Sequence, residues 1–250
     1  MGIRFGIRNY YNEVLVDNPV AYWRLGEPNG DSIAIDEKGT YNGTYIGSPQ
    51  GGVVGALADG NTAVSFPGGT SFTTTPHVDT GSTMATIFTG NNPRSFECWF
   101  NPGATLTNGA MLAKSNNAGG IGVLVWVFRV TSAGKVEFVV SSSPADYWLV
   151  STTATVLAVN TWAHLAAVVS NVGTRDAKIY INGVATATTA VSGGTPPTTW
   201  ATAATNVWIG KSHNAAAASA PAGKFDEVAI YSSALSAARI LAHYQASARR

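Results

Sequence analysis

Two adjacent carboxylates, Asp226 and Glu227, open the last apolar stretch of the chain, "FDEVAIY". Hydrolysis of a glycoside needs two such acids roughly 5–10 Å apart over one cleft, one of them kept protonated. In a strand, neighbouring side chains point to opposite faces, so this pair fails that test. Acids at alternate positions would pass it, but the sequence contains no Glu-x-Asp-x-Glu. Glu97 and Glu137 could meet only through the tertiary fold. The acidic pair is therefore assigned to structure. One carboxylate is expected to accept backbone hydrogen bonds where the final strand meets the N-terminal segment, the other to face water.

The remaining reactive residues point the same way. His77, His164, His213 and His243 follow no spacing that would ligate zinc. His164 lies two residues after Trp162 and shares its face; with no Ser or Cys nucleophile motif beside it, it is expected to be a packed, hydrogen-bonded ring. Cys98, alternating with Phe96 and Phe100, reads as a core thiol, and as the single cysteine it has no intramolecular disulfide partner. Aromatic residues are the better binding candidates. Most Trp residues fall in strand-like stretches, whereas Trp200 follows Pro196-Pro197 and Tyr147-Trp148 follows "SSSPAD". Exposed on loops, these three would suit a sugar or a protein surface.

The elements that must position these residues are strands. Short stretches of period-two alternation, "SFECWF", "KVEFVV", "YWLVST", "WAHLAAVV", "AKIYI", "NVWIG" and "FDEVAIY", are separated by Gly, Pro, Asn and Ser clusters. "IGVLVWVFRV" is apolar on both faces and belongs centrally. "AYWRLGE", "NGTYIG" and "AVSFPG" read as shorter strands, and Asn182-Gly183 favours a tight hairpin turn. The stretch "FPGGTSFTTTPHVDTGS" reads as a long loop. One helix is expected, at the C-terminus, with Ser236 as its cap and Ile240, Leu241 and Tyr244 on one side. The usual Glu three residues after the capping Ser is Arg239 here.

Composition bounds the partners. The 250 residues carry 15 Lys and Arg against 14 Asp and Glu, a net charge of +1 that offers no phosphate-binding surface, so nucleic acid is not expected. The first residues lack the apolar core of a secretion signal, and no apolar run is long enough to cross a membrane, so the chain reads as soluble.

Four stretches, in order, resemble the laminin-G-like (concanavalin A-like) jelly-roll family: "AYWRLGE", "SFECWF", "NTWAHLAAVVSNVGTRDAKIYINGVA" and "FDEVAIYSSALSAARILAHY". The resemblance implies an all-β fold, a two-sheet antiparallel jelly-roll sandwich with a short C-terminal helix, spanning residues 19–250 behind an N-terminal arm, residues 1–18. It does not imply an activity, because such sandwiches serve many functions. "IDEKGTYNG" also resembles the family's Asp-x-x-Gly-x-x-x-Gly loop, which in relatives helps to hold a structural calcium ion. Here Asp36 and Asp226 would be its side-chain ligands.

The function expected is non-enzymatic. The opening "NEVLVDNPVAYWRLGE" resembles phage-encoded members of the family, which implies a virion protein, a capsid decoration or minor tail component, present as a homo-oligomer or in many copies. Its partners would be other virion proteins and a host surface glycan, with no nucleic acid or membrane. Ile3, Arg4, Phe5, Ile7 and Arg8, alternating basic and apolar, would form the assembly arm, either on a neighbour's sheet edge or as an edge strand of the chain's own fold. The alternative is an extracellular carbohydrate-binding module; a glycoside hydrolase ranks below both.

Overall fold

The computed structural model describes residues 9–71, 74–115, 124–200, 204–213 and 220–248. Two antiparallel sheets stack face to face, as the alternation requires. The eight-stranded sheet runs β14 (Val184–Ala185), β13 (Asp176–Ile181), β12 (Ala163–Asn171), β7 (Arg94–Pro102), β17 (Gly223–Tyr231), β5 (Thr62–Phe66) and β4 (Gln50–Val54), with β1 (Ala21–Trp23) also paired to β17. The nine-stranded sheet runs β15 (Thr188–Gly193), β11 (Tyr147–Thr152), β10 (Val136–Ser141), β9 (Leu124–Val130), β8 (Gly109–Ser115), β16 (Val207–Ile209), β6 (His77–Asp79), β3 (Gly43–Ile46) and β2 (Ile33–Ala34). β6 lies inside the stretch read as a long loop, so that segment contributes a strand between β16 and β3.

Phe96, Cys98 and Phe100 of β7 face the inter-sheet core with Trp126, Phe128, Phe138 and Val150 from the opposing sheet. The other face of β7 is also buried: Glu97 and Trp99 lie beneath two helices, α1 (Tyr10–Val16) and α2 (Ala237–Ala246). This accounts for the uninterrupted burial of β7, where a two-layer sandwich would show alternation.

Ser236 caps α2 by accepting from the Arg239 amide, but its buried face is Ile240, His243 and Ala246; Leu241 remains 37% exposed. The Asn182-Gly183 turn has φ of 51° and 81°, both positive as its hairpin type demands. A Cβ on Gly183 would lie 3.0 Å from Leu241 and Tyr244, so the hairpin tip packs directly on α2.

The segment assigned to an arm is, over residues 10–16, helix. Asn9 caps it, its side chain accepting from the Asn12 amide, and Tyr10 and Val14, one turn apart, are buried against the body. Ile3, Arg4, Phe5, Ile7 and Arg8 lie outside the described residues.

Candidate functional site

The acidic pair does not alternate. Between Asp226 and Ala229 the pairing of β17 with β7 shifts register, and Glu227 adopts a left-handed φ of 52° at this bulge. Both carboxylates are thereby buried, and both meet Asn61 Nδ2, Asp226 at 3.4 Å and Glu227 at 3.3 Å. Glu227 accepts from Arg24 at 2.6 and 2.9 Å and from the Tyr22 hydroxyl, while Asp226 accepts the Ala56 amide at 2.8 Å. The expected backbone hydrogen bond is present on Asp226; the expectation that its neighbour faces water is corrected. Burial pushes both carboxyls up, Glu227 to about 7 against the pull of Arg24, and Asp226 also feels the charge of Glu227. A raised carboxyl suits a general acid, but neither of these has any solvent-exposed surface.

A second closed cluster centres on Glu97. His243 of α2 has both ring nitrogens on carboxylates: Nδ1 at 3.0 Å from Glu97 and Nε2 at 2.9 Å from Asp17. Both nitrogens must therefore carry protons, and the ring is an imidazolium. Burial opposes that charge, yet Glu97 and Asp17 raise the His243 pKa to about 9. His164 Nε2 donates to Glu97 at 3.1 Å, and the Tyr231 hydroxyl donates to its other oxygen. Burial alone would raise Glu97, but these imidazole contacts hold it well below the usual carboxylate range. His164 is thus the packed ring expected. Glu137 belongs elsewhere, bonded to Arg129.

Asp36 and Asp226, the candidate calcium ligands, both have protein donors. The Asp36 carboxylate accepts four backbone amides, those of Tyr22, Lys38, Thr40 and Tyr41, at 2.8–3.0 Å. These bonds fold the Asp-x-x-Gly loop around the Asp36 carboxylate. Among the described residues no three His, Cys, Asp or Glu side chains are grouped to hold a metal ion.

One open cleft lies at the β10–β11 end of the nine-stranded sheet's outer face, a face whose middle, at Ala113, Val127 and Val139, is buried. Residues directly opposite across antiparallel strands share a face, and one such row runs Trp208, Ala113, Val127, Val139, Leu149, Val191. The next row carries Arg129, Glu137, Ser151 and Thr189. Where the rows reach β10 and β11, a cleft of about 240 Å³ is lined by Arg129, Val139, Ser141, Ser143, Pro144, Tyr147 and Leu149.

Its parts are locally fixed. The Tyr147 ring lies against Gly193, where a Cβ would come within 2.7 Å of it. Asp146 anchors the loop at the rim, accepting from Ser143 Oγ and from the Thr195 amide, each at 2.7 Å. Arg129 donates to Glu137 Oε2 from Nε and Nη2 at 2.7 and 2.6 Å. An aromatic face, a carboxylate–guanidinium pair, serine hydroxyls and an apolar floor together can stack a ring and bond its hydroxyls.

Of the three aromatic candidates, only Tyr147 reaches this site. Trp148, its neighbour in β11, points inward and is 1% exposed, a consequence of strand alternation. Trp200 is 2% exposed: although outside any strand, its ring packs against Phe88, Phe96 and Phe138 and its Nε1 donates to the Asn92 carbonyl. The exposure expected of both is corrected. Arg129, Ser141 and Leu149 went unrecognised as site residues; their signal was the opposite parity to Phe128, Val140 and Trp148.

The sequence matches the family model described as the concanavalin A-like lectin/glucanases superfamily over residues 67–241. No curated protein matches it. Among solved structures, it is similar to domain 4 of an extracellular GH43 arabinanase from Geobacillus stearothermophilus in complex with arabinotriose, at 20% identity and TM-score 0.57, covering 91% of this chain and 98% of that one. It is similar to the Ruminococcus gnavus IT-sialidase CBM40 bound to α2,3-sialyllactose, at 14% identity and TM-score 0.50, covering 61% and 83%. A Trypanosoma rangeli sialidase matches at 12% identity and TM-score 0.57 over 90% of this chain, which spans 32% of that enzyme's length. At such identities the likeness is one of fold.

Proposed function

We propose, from the premise that this chain belongs to the concanavalin A-like lectin/glucanases superfamily, that it is a non-catalytic carbohydrate-binding sandwich. The observation that carries this reading is the cleft at Tyr147, which combines an aromatic platform with polar groups at the open β10–β11 end of the sheet. Structures of similar build hold arabinotriose and sialyllactose, which supports a saccharide as the class of ligand. The non-catalytic part is supported by where the acids nearest the cleft and those of the buried clusters lie. Asp226, Glu227 and Glu97 are closed off on the other sheet, and Glu137, beside the cleft, is tied to Arg129. No described helix is long and apolar enough to cross a membrane, and an extracellular setting suits a glycan ligand.

A glycan array of arabino- and sialyl-oligosaccharides tests the reading. The full chain is expected to retain one sugar class at micromolar affinity, and Tyr147→Ala to lose it while melting within about 1 kcal/mol of the parent. Trp148→Ala, one residue away, is expected instead to cost about 3–5 kcal/mol of stability. Retention of no sugar, or binding indifferent to Tyr147→Ala, would sink the proposal.

A second reading puts the same sandwich on a virus particle, as a capsid decoration or minor tail protein among other virion proteins, with a host glycan as ligand. Its low charge, 12% of residues, and its Thr-, Ala- and Gly-rich sequence favour it. Deleting residues 1–12 should then abolish incorporation into particles; full occupancy without them would count against an assembly arm. Because Tyr10 is buried, the shortened chain must first be shown to fold.

A further inference from the structure

Among the described residues, four strands end the two strand orders and β1 is a fifth edge; β1 is covered by the Asp36 loop, and three of the other four are blunted against further pairing. β2 and β14 are two residues long. β4 shifts register between Gln50 and Val53 and holds Gly52 at a φ of +67°. β15 is different. All six of its residues pair in unbroken register with β11, from Thr188↔Thr152 to Gly193↔Tyr147, and the middle four are exposed. Edge strands of monomers are normally protected by Lys, Pro, a bulge or brevity, and β15 has none of these. The sequence contains no charged residue between Lys178 and Lys211, so nothing repels a second strand there.

The hydrogen-bond phase says which groups are available. The Thr153 amide donates to the Ala187 carbonyl at 3.0 Å, one step beyond the Thr152↔Thr188 pair. In an antiparallel ladder every second residue bonds to the same neighbour, so Thr189, Val191 and Gly193 bond to β11. The amides and carbonyls of Thr188, Ala190 and Ser192 point away from the sheet.

We propose that β15 is a self-association edge, at which two copies of this chain join β15 to β15 in antiparallel fashion about a twofold axis through Ala190. The edge is self-complementary in that register. Ala190 faces its own copy, Thr188 faces Ser192, and these pairs exchange six backbone hydrogen bonds. Between them Thr189 of one copy faces Val191 of the other, a β-branched pair at the closer strand spacing. On the opposite face the small Ala190 avoids a clash at the axis, and the Thr188 and Ser192 hydroxyls come together. The axis stands perpendicular to the sheet, so both Tyr147 clefts open on the same side. Each is one strand from the junction, an arrangement that adds avidity for a multivalent ligand. The dimer itself does not depend on what the cleft binds.

Sedimentation velocity on the full chain tests it, with a dimer expected at concentrations of about 10–100 µM, as for a weak, specific interface. Ala190→Pro removes an outward amide without touching the β11 ladder and should leave a monomer. The pair T189K and V191K together should also leave a monomer, by placing like charges opposite each other. T189E with V191K should restore the dimer through two Glu–Lys pairs, which a variant that merely misfolds could not do. Ala190→Cys brings two thiols to about 5.5 Å between Cα atoms, within disulfide range, and should cross-link on oxidation, whereas Val191→Cys should not. The native Cys98 is buried and does not confuse the readout. A full chain monomeric throughout that range, a dimer indifferent to the lysine pair, or an Ala190→Cys chain that stays uncross-linked would overturn the proposal.

Discussion

On the helix-covered face of the eight-stranded sheet, Glu97, Asp226 and Glu227 are fully buried, and the carboxylates of Glu97 and Glu227 bond to cationic or hydroxyl donors, His243 and Tyr231 for the first, Arg24 and Tyr22 for the second. Beside the cleft on the nine-stranded sheet, the Glu137 and Arg129 side chains keep 13% and 37% of their exposure. The same residue types therefore serve two ends. Where water is excluded, a charge holds elements together because removing its partner leaves the other stranded. Where water remains, a pair costs little to break and is available to a ligand.

The largest expected effect tests the buried side of this contrast. Glu97→Ala leaves His243 charged against Asp17 alone and strands the Tyr231 hydroxyl, so it should cost about 3–5 kcal/mol in chemical denaturation. Glu137→Ala, beside the cleft and in contact with water, should cost about 1 kcal/mol or less. Equal costs would break the contrast.

A pH series sharpens it. His243 has its pKa raised from 6.5 to about 9 in the folded chain, so the stability it contributes is whole below pH 6.5 and is lost as pH rises through about 9. Glu227, raised from 4.5 to about 7, also favours the fold at low pH, but its contribution is lost in the lower window, between pH 4.5 and 7. The folded form holds the extra proton in both cases, so both slopes run downward with pH. The groups facing His243 are Glu97 of β7, Asp17 after α1, and the rings of Tyr10 and Tyr231. Denaturation midpoints should therefore fall between pH 6.5 and about 8 by an amount on the order of 1–3 kcal/mol, and His243→Gln should flatten that window while leaving the lower one. Lys114, held by burial down to about 8, gives an opposite slope above pH 8, so the test is read between pH 6.5 and 8: a His243→Gln chain with the parent's slope there would show that His243 is not charged in the fold.

Strand alternation carried most of the architecture in the sequence, because each strand's buried face is written at period two: Phe96, Cys98 and Phe100 are legible without coordinates. What alternation could not supply was the second layer on the outside of β7. The helix α1 is seven residues long and announces itself only through the Asn9 cap and the Tyr10–Val14 spacing. Its burial depends on α2, which lies more than 220 residues later in the chain. The contact of His243 with Glu97 spans 146 residues and has no local signature. The bulge at Glu227 defeated the period-two argument directly, since one left-handed residue turns an outward side chain inward. At the cleft, Tyr147 was legible as a loop-proximal aromatic. Trp148 and Trp200 were not distinguishable from it, because chain position near a turn does not report which way a ring points.

The smallest effect concerns the link between the two helices. Arg239, which stands where a capping box would place Glu, donates to Asp17 at 2.8 Å and to Glu13 at 2.6 Å, tying α2 to α1. Its side chain is 31% exposed, so water already competes for these bonds and Arg239→Ala should cost about 1 kcal/mol or less. The loss should still be local. Asp17 also holds His243 Nε2, so amide exchange should quicken in α1 and the last turn of α2 before it changes in β7. Saccharide binding at Tyr147, on the other sheet, should be unchanged. If instead Arg239→Ala cost as much as Glu97→Ala, the half-exposed rim of the cluster would be as firmly coupled as its buried centre, and exposure would not be what separates the two uses of charge.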